Sequence, residues 1–574
     1  MNILNKKQKV GFKDFLNFYT KFRIPWGLYI MASALGIVYA EITFKIANCT
    51  IQVNKGELYN KIIISYVLLN LLSVAIVTMK NQSLNYGDYK IILRSRGVIW
   101  NKILHMKIKE IDNFSPAGLV SGITNDSEQA CIAVSSIFEF VASAYGFGKA
   151  CWILYSYNSI ISKYMITLIP FAIFVFWLVG HLQQYTQRRI YAAINQMTIF
   201  FSEHVSAVKY VKAQAMEEIE IQEGFRAIDE RYKADILNVF LEVVMTSAYS
   251  VFNNLTTIFL CVFGSRLVRN GQMELTGINS SSTYMEKVNL YLSESLTQYQ
   301  NIRGSQGALT EVNRILKAEE EDPSEGEEYI TSKKKDIVFD KVEFGYTNQL
   351  VIKNVSFTLP YGKTLAIVGN NGSGKTTLMK LMQGFYEANS GTIKIGENEL
   401  GKTKLEDIRK QFSYIIQNDC MFSGSVKENI IYGCEREVTD EEIVKAAKRA
   451  GAHEFIMSFE NGYNTILRES GMNLSGGQRK RLSFARAFLS DKDYFLLDEA
   501  GANLDSKTYS EIYESVKEKM RGKTVIFIAH EIEKIMDADY ILVLTGGEVE
   551  AFGTPDELIK SSKTYRDYVS RLKE

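Results

Sequence analysis

The stretch VGNNGSGKTT, Val368 to Thr377, lies between an apolar run, TLAIV, and a run of good helix formers, TLMKLMQG. Its spacing G-x-x-x-x-G-K-[ST] is met by Gly369, Gly374, Lys375 and Thr376, and strand, loop and helix in that order is the context the pattern requires. Glycines let consecutive backbone N–H groups curl around phosphate oxygens, and a helix that begins there turns the positive end of its dipole toward them. The loop Gly369, Asn370, Asn371, Gly372, Ser373, Gly374 is therefore read as a triphosphate cradle. Lys375 adds a point charge, Thr376 is placed for Mg2+, and Thr377 completes the motif. A chance glycine-rich turn would match eight residues equally well, but further elements in the right order decide against it.

Downstream, FSYIIQND reads as a strand ending in Gln417, a polar side chain placed to reach Mg2+ or an attacking water. LSGGQRKRLSFARAF sets Leu474, Ser475, Gly476, Gly477 and Gln478 at the head of a basic helix, which makes a second phosphate-binding helix start. YFLLDEA is an apolar strand that delivers Asp498, suited to Mg2+, and Glu499, suited to general base. Asp505 follows in AGANLD, and TVIFIAH ends a last strand at His530, beside the expected γ-phosphate. Upstream, the strand-like alternation of IVFDKVEFGYTNQLVIKNVSFTL carries Tyr346, an aromatic able to stack on adenine. Without the phosphate loop, an ordinary exposed strand tyrosine would be the better reading. In a monomer the second cradle would have no phosphate to bind, which points to a dimer sharing ATP.

The chain's 574 residues exceed one domain, and a formal net charge of +1 gives no pull toward nucleic acid. Six cysteines without metal-type spacing read as packing residues in a reducing compartment. The start, MNILNKKQKVGFKDF, shows no apolar core followed by a cleavage site of the secretory kind. Apolar runs fill the first half: from Trp26 to about Asn48, Ile62 to Val77, Cys131 to Tyr155, Met165 to Leu182, Val239 to Leu267, and more weakly Tyr284 to about Ile302. These six are near the ~20 residues a bilayer crossing needs. Basic residues gather after the second and fourth runs, which places those segments and both termini in the cytoplasm. Gly11 to Ile24, with aromatic residues among basic ones, suits a helix lying at the membrane interface.

The expected architecture is multidomain: an all-α six-helix transmembrane domain over 1–315, a linker over 316–336 containing EEEDPSEGEE, and an α/β P-loop nucleotide-binding domain over 337–574. Ionisable residues inside the spans (Glu41, Lys45, Glu139, Lys149, Glu242, Glu286, Lys287 and Glu294) seldom face lipid. One reading is a hydrated cavity for a polar or amphipathic solute. For Glu41 and Lys45, four apart on one helical face, the other reading is a simple pair.

In this order the residues resemble the nucleotide-binding domain of ATP-binding cassette transporters, and the whole chain resembles an exporter-type half-transporter. The resemblance implies a Walker A motif at Gly369 to Thr377, an A-loop at Tyr346, a Q-loop at Gln417 and the LSGGQ signature at Leu474 to Gln478. It further implies Walker B at Asp498 with Glu499, a D-loop at Asp505 and a switch histidine at His530. Two coupling helices are implied as well, at Phe114 to Asp126 and around Val211 to Glu218. Two departures stand out: Ala502, Asn503, Leu504 and Asp505 where the family commonly has SALD, and Glu469, Ser470 and Gly471 where ERG is more usual. The function expected is ATP-driven export of an amphipathic substrate (peptide, drug or lipid) across the cytoplasmic membrane. ATP and Mg2+ are the implied ligands, Glu499, His530, Gln417 and Lys375 the implied catalytic set, and a homodimer, or a heterodimer with a related half-transporter, the implied assembly. An ATP-gated membrane regulator or channel and an importer on an exporter scaffold are the competing readings.

Overall fold

The computed structural model describes residues 23–54, 60–157, 159–321, 335–417, 419–498, 506–519, 521–528 and 537–571. Most of the expected interfacial helix, most of the linker, and Glu499, Ala502, Asn503, Asp505 and His530 lie outside the described residues. Two compact units result, one running to Met106 and over Glu110–Glu320, the other comprising Lys107–Lys109 and the chain from Glu321.

The first unit is helical. Its six long helices are α1 (Trp26–Asn54), α2 (Asn60–Leu104), α5 (Ser127–Tyr157), α6 (Ser159–Ser206), α8 (Glu217–Arg269) and α9 (Leu275–Lys317), with short α3 (Ile108–Ile111), α4 (Pro116–Ser121) and α7 (Val208–Ala213) between them. At ~1.5 Å per residue, the 45 residues of α2 extend about twice the ~30 Å of a hydrocarbon core. The long helices therefore continue well past their apolar runs. Among the described residues, four segments are long and apolar enough to cross a membrane: Trp26–Val53, Asn60–Leu104, Pro116–Ser156 and Glu217–Arg269. In α9 the apolar pattern is diluted by Glu286, Lys287 and Glu294.

Pro116 does not interrupt a helix, contrary to the reading of 114–126 as a separate coupling helix. It occupies the first turn of α4, where a missing N–H costs nothing, and Ser115 caps that turn by accepting the N–H of Gly118 at 3.1 Å. A π-helical turn, Gly122–Asp126, then carries α4 into α5. The short helix after α2 lies upstream, at α3. In the second connection, α7 and the turn through Ala215 (φ 52°) overlap the expected 211–218.

Polar bonds join these helices where water is scarce. Thr43 Oγ1 and Tyr291 OH lie 2.7 Å apart, Ser295 donates to Ser143 at 3.0 Å, and Asn289 donates to Asn253 at 2.7 Å. Glu41 does not pair with Lys45: its carboxylate takes the ammonium of Lys149 and the hydroxyl of Tyr145, both on α5. A partner on a neighbouring helix ties two elements together, which a same-helix pair would not. Glu242 is exposed and accepts from Asn238 one turn earlier at 2.9 Å.

The second unit contains two sheets. The six-stranded one has the order β12 (Glu548–Gly553), β11 (Tyr540–Thr545), β3 (Thr364–Gly369), β10 (Thr524–Ile528), β9 (Tyr494–Leu497), β6 (Phe412–Ile415), and all neighbours are parallel except β11 with β12. A parallel sheet buried on both faces favours continuous apolar strands, as TLAIV, YFLL and TVIFI are. Their side chains alternate between two cores. Leu365, Ile367, Leu496, Ile526 and Leu542 pack on one side, and Ala366, Val368, Phe495, Phe527 and Val543 on the other. The four-stranded antiparallel sheet runs β2 (Ile352–Leu359), β1 (Ile337–Phe344), β4 (Ser390–Ile395), β5 (Asn398–Glu399). A two-stranded ladder, β7 (Gly424–Ser425) with β8 (Ile466–Leu467), completes the unit.

Candidate functional site

The register of the parallel strands places the chemistry. Ile528 is level with Ile367, Phe527 with Leu497, and Leu497 with Ile415, so β3, β10, β9 and β6 all leave the sheet at one edge. Ligands of open α/β sheets bind at that carboxyl edge. There Gly369 to Gly374 turn from β3 into α10 (Lys375–Met382). Gly369 and Gly374 sit at φ +154° and +99°, and a Cβ would fall 2.2 Å from Leu544 O at the first and 2.6 Å from Ile352 Cδ1 at the second. Only glycine fits the two ends of this loop. Ser373 is buried, and its Oγ has no hydrogen-bond partner among the described residues. An orphaned hydroxyl inside a ring of backbone amides suits a phosphate oxygen. Lys375 Nζ reaches the carbonyls of Gly369 and Asn370 at 2.8 and 3.0 Å, on the concave side of the same loop.

Beyond β9, Asp498 is buried with both oxygens engaged: Thr376 Oγ1 donates to Oδ1 at 3.3 Å and Tyr414 OH to Oδ2 at 3.2 Å. The two oxygen ligands assigned to Mg2+ on sequence grounds, 122 residues apart, are thus adjacent, and their oxygen chemistry fits that hard cation. Tyr414 was not singled out by sequence reasoning. Burial and the Asp498 charge beside it push its phenol pKa up, so it stays a neutral donor. Gln417 is exposed two residues past β6. Ser475 caps α11 (Gly476–Ser490): its Oγ accepts the N–H of Gln478 at 3.2 Å, and Gln478 Oε1 accepts the N–H of Ser475 at 2.8 Å. This capping box holds Gly476 and Gly477 in the first turn, with their N–H groups at the helix start. Tyr346 lies in the turn just past β1 rather than on a strand. Its hydroxyl is 3.2 Å from Thr377 Oγ1 and its ring meets Tyr386 edge-on at 5.1 Å.

The membrane unit has its own cavity of about 150 Å³, between α1, α2, α5 and α9. Tyr39, Phe138 and Tyr291 contribute aromatic surface, and Lys80, Glu139, Glu294 and Gln298 contribute polar groups.

A phosphate-binding loop, a buried Mg2+-type carboxylate and a capped second helix start, in one chain with a multi-pass helical unit, define a membrane ATPase. The sequence matches the family profile "ABC transporter transmembrane region" over residues 27–291 and the profile "ABC transporter" over 352–502. It is 30% identical to the ATP-dependent lipid A-core flippase of Aliivibrio fischeri, over 83% of this chain and 82% of that protein. It is 28% identical to a multidrug resistance ABC transporter ATP-binding and permease protein of Lactococcus lactis, over 83% of this chain and 81% of that one. A bacterial Atm1-family ABC exporter with ATP bound has the same fold, at a TM-score of 0.84 and 19% identity, covering 95% of this chain and 97% of that chain. The chain belongs to the ABC transporter family, as an exporter-type half-transporter whose ATP turnover is coupled to transport.

Proposed function

We propose that this chain is one half of an ATP-driven exporter of amphipathic substrates, with six spans and both termini in the cytoplasm. The observation that carries the reading is the meeting of Thr376 and Asp498 at the mouth of the phosphate loop, in a chain that also spans the membrane. Lys375 and the loop amides bind the β- and γ-phosphates, and Tyr346 supports the adenine. Thr376 and Asp498, together with Gln417, would hold Mg2+, which would supply charge neutralisation on the phosphate oxygens. Glu499 takes the proton of the attacking water as its oxygen bonds to the γ-phosphorus and the bridge to ADP breaks. His530 steadies the charge developing there.

Ser475, Gly477 and Gln478 of a second chain close the site from the other side, and Asp505 links the two sites. Because one chain carries the full set, a homodimer has two competent sites. A lipid-flipping and a multidrug relative support an amphipathic cargo.

The test is flux in inside-out vesicles with ATP, using a fluorescent phospholipid analogue and ethidium. Uptake into the lumen that is lost in Glu499→Gln is the expected result. Efflux from loaded vesicles instead would make the chain an importer, and ATPase activity with no flux a regulator or channel.

A further inference from the structure

Asp498 is braced from β6 at two levels. Its backbone N–H donates to Ile415 O at 2.9 Å, and its Oδ2 accepts the phenol of Tyr414 at 3.2 Å. The strands run parallel with Tyr414 beside Leu496 and Ile415 beside Leu497, so this register delivers the phenol to the carboxylate that follows β9. On the other oxygen, Oδ1, Thr376 Oγ1 lies at 3.3 Å. The two donors differ in freedom. A threonine hydroxyl both donates and accepts and rotates about one bond, so Thr376 can turn its lone pairs to a cation. The Tyr414 hydroxyl is fixed to a ring that packs against the core of Leu378, Leu496 and Ile526, and it cannot leave Oδ2 unless that ring moves. Asp498 itself is only 2% exposed, which leaves its carboxylate little room to swing.

Carboxylates hold Ca2+ and Mg2+ differently. Ca2+ takes roughly 6–8 oxygens at about 2.3–2.6 Å and often both oxygens of one carboxylate, whereas Mg2+ demands near-octahedral geometry at about 2.0–2.1 Å and keeps several waters. A carboxylate with one oxygen held by a fixed phenol is suited to giving a cation its other oxygen alone. We propose that Tyr414 sets the metal specificity of the site: by occupying Asp498 Oδ2 it leaves Oδ1, on the Thr376 side, as the oxygen offered, and so favours Mg2+ over Ca2+. Tyr414 is a positioning residue, acting through Asp498. The inference rests on the reading of Thr376 and Asp498 as the Mg2+ site, and the two are separable by experiment.

The measurement is metal binding without turnover: the full chain in nanodiscs with ADP, Mn2+ followed by the electron paramagnetic resonance signal of the free ion, and Mg2+ or Ca2+ added to displace it. In wild type, Mg2+ displaces Mn2+ at lower concentration than Ca2+ does. Tyr414→Phe keeps the ring and removes the hydroxyl, and it shifts the ratio of the two displacing concentrations by about tenfold toward Ca2+, the scale of one hydrogen bond to a charged group. An unchanged ratio in that variant, or equal weakening of both ions, makes Tyr414 a packing residue and overturns the proposal, as does a wild type without preference. Asp498→Asn separates the two readings. Mn2+ binding that survives Asp498→Asn removes the Mg2+ site itself, whereas binding lost there with an unchanged ratio in Tyr414→Phe removes only the role of the phenol.

Discussion

Lys480 Nζ lies 3.3 Å from Asp419 Oδ1, with the lysine fully buried and the aspartate nearly so. The same ammonium donates to the carbonyls of Ile416 and Gln417 at 3.2 and 3.4 Å. One buried charge thus fastens α11, whose capped start holds Ser475 and Gly477, to the stretch that presents Gln417. Breaking a buried pair from one side strands the other charge, at a cost of roughly 3–5 kcal/mol. Lys480→Met is expected to lower the melting temperature of the full chain and to slow ATP turnover. Lys480→Met combined with Asp419→Leu recovers stability but not turnover, because Gln417 remains untethered. If the double variant melts no higher than the single, the pair is not the source of the coupling.

Tyr346 has two attachments, a hydroxyl near Thr377 and a ring against Tyr386 and Phe344. If the ring carries adenine binding, Tyr346→Phe keeps nearly wild-type ATP affinity. Tyr346→Ala loses the stacking, worth about 1–3 kcal/mol for a base on an aromatic. Fluorescent-nucleotide titration of both variants reads this directly. An equal loss in the two would assign the role to the hydroxyl.

The strand ends that form the nucleotide edge were legible because each is an apolar run with a chemically distinctive residue just past it, as YFLL is followed by Asp498. Lys480 was legible in principle: it precedes Phe484 and Phe488 by four and eight residues, on the face of α11 that those buried rings occupy. A charge at a buried helical position requires a partner, but the partner sits 61 residues earlier, and spacing does not identify it. Tyr414 escaped because a tyrosine inside β6, three residues before Gln417, reads as ordinary strand composition; only the parallel register of β6 with β9 brings it to Asp498. In the membrane unit the apolar runs marked the helices, while the stretch from Phe114 to Asp126, expected as a separate short helix, leads into α5. Proline breaks a helix interior but starts a helix freely, and Ser115 before it is the capping signal that distinguishes the two.

Asp539 braces the start of β3, the strand that ends in the phosphate loop. Its Oδ2 accepts from the N–H and hydroxyl of Thr364 at 2.9 and 2.8 Å, and its Oδ1 from Lys363 at 3.0 Å. Burial pushes its pKa up, but these three donors outweigh burial and hold the carboxyl below the usual aspartate range. A folded pKa below the unfolded one stabilises above the unfolded value of about 3.9 and loses that contribution as pH falls through the depressed value. Wild type should therefore unfold at higher denaturant than Asp539→Asn at neutral pH, with the gap closing as pH drops below about 4. A gap that stays constant into acid would mean the carboxylate charge contributes nothing.

The pair between Glu41 and Lys149 separates two accounts of charge inside the membrane unit. Lys149 and Tyr145 both reach Glu41 from α5, while Lys45, one turn along α1, is not its partner. Removing Glu41 leaves the Lys149 ammonium without its carboxylate inside an apolar segment long enough to cross a membrane, and a lone charge at the centre of a span costs about 2.5–3.5 kcal/mol on insertion-based scales. Glu41→Gln is expected to lower stability in nanodiscs and the yield of folded protein, Lys149→Met to do the same from the other side, and Lys45→Met to change little. The double variant Glu41→Gln with Lys149→Met should recover most of the loss, since neither charge is then stranded. Basal ATPase of the folded fraction should be near wild type in all four, because the phosphate loop and Asp498 belong to the other unit. The coupling is read from a double-mutant cycle on melting temperature. Additive single effects, or a Lys45→Met loss as large as that of Lys149→Met, would return the pairing to α1 alone.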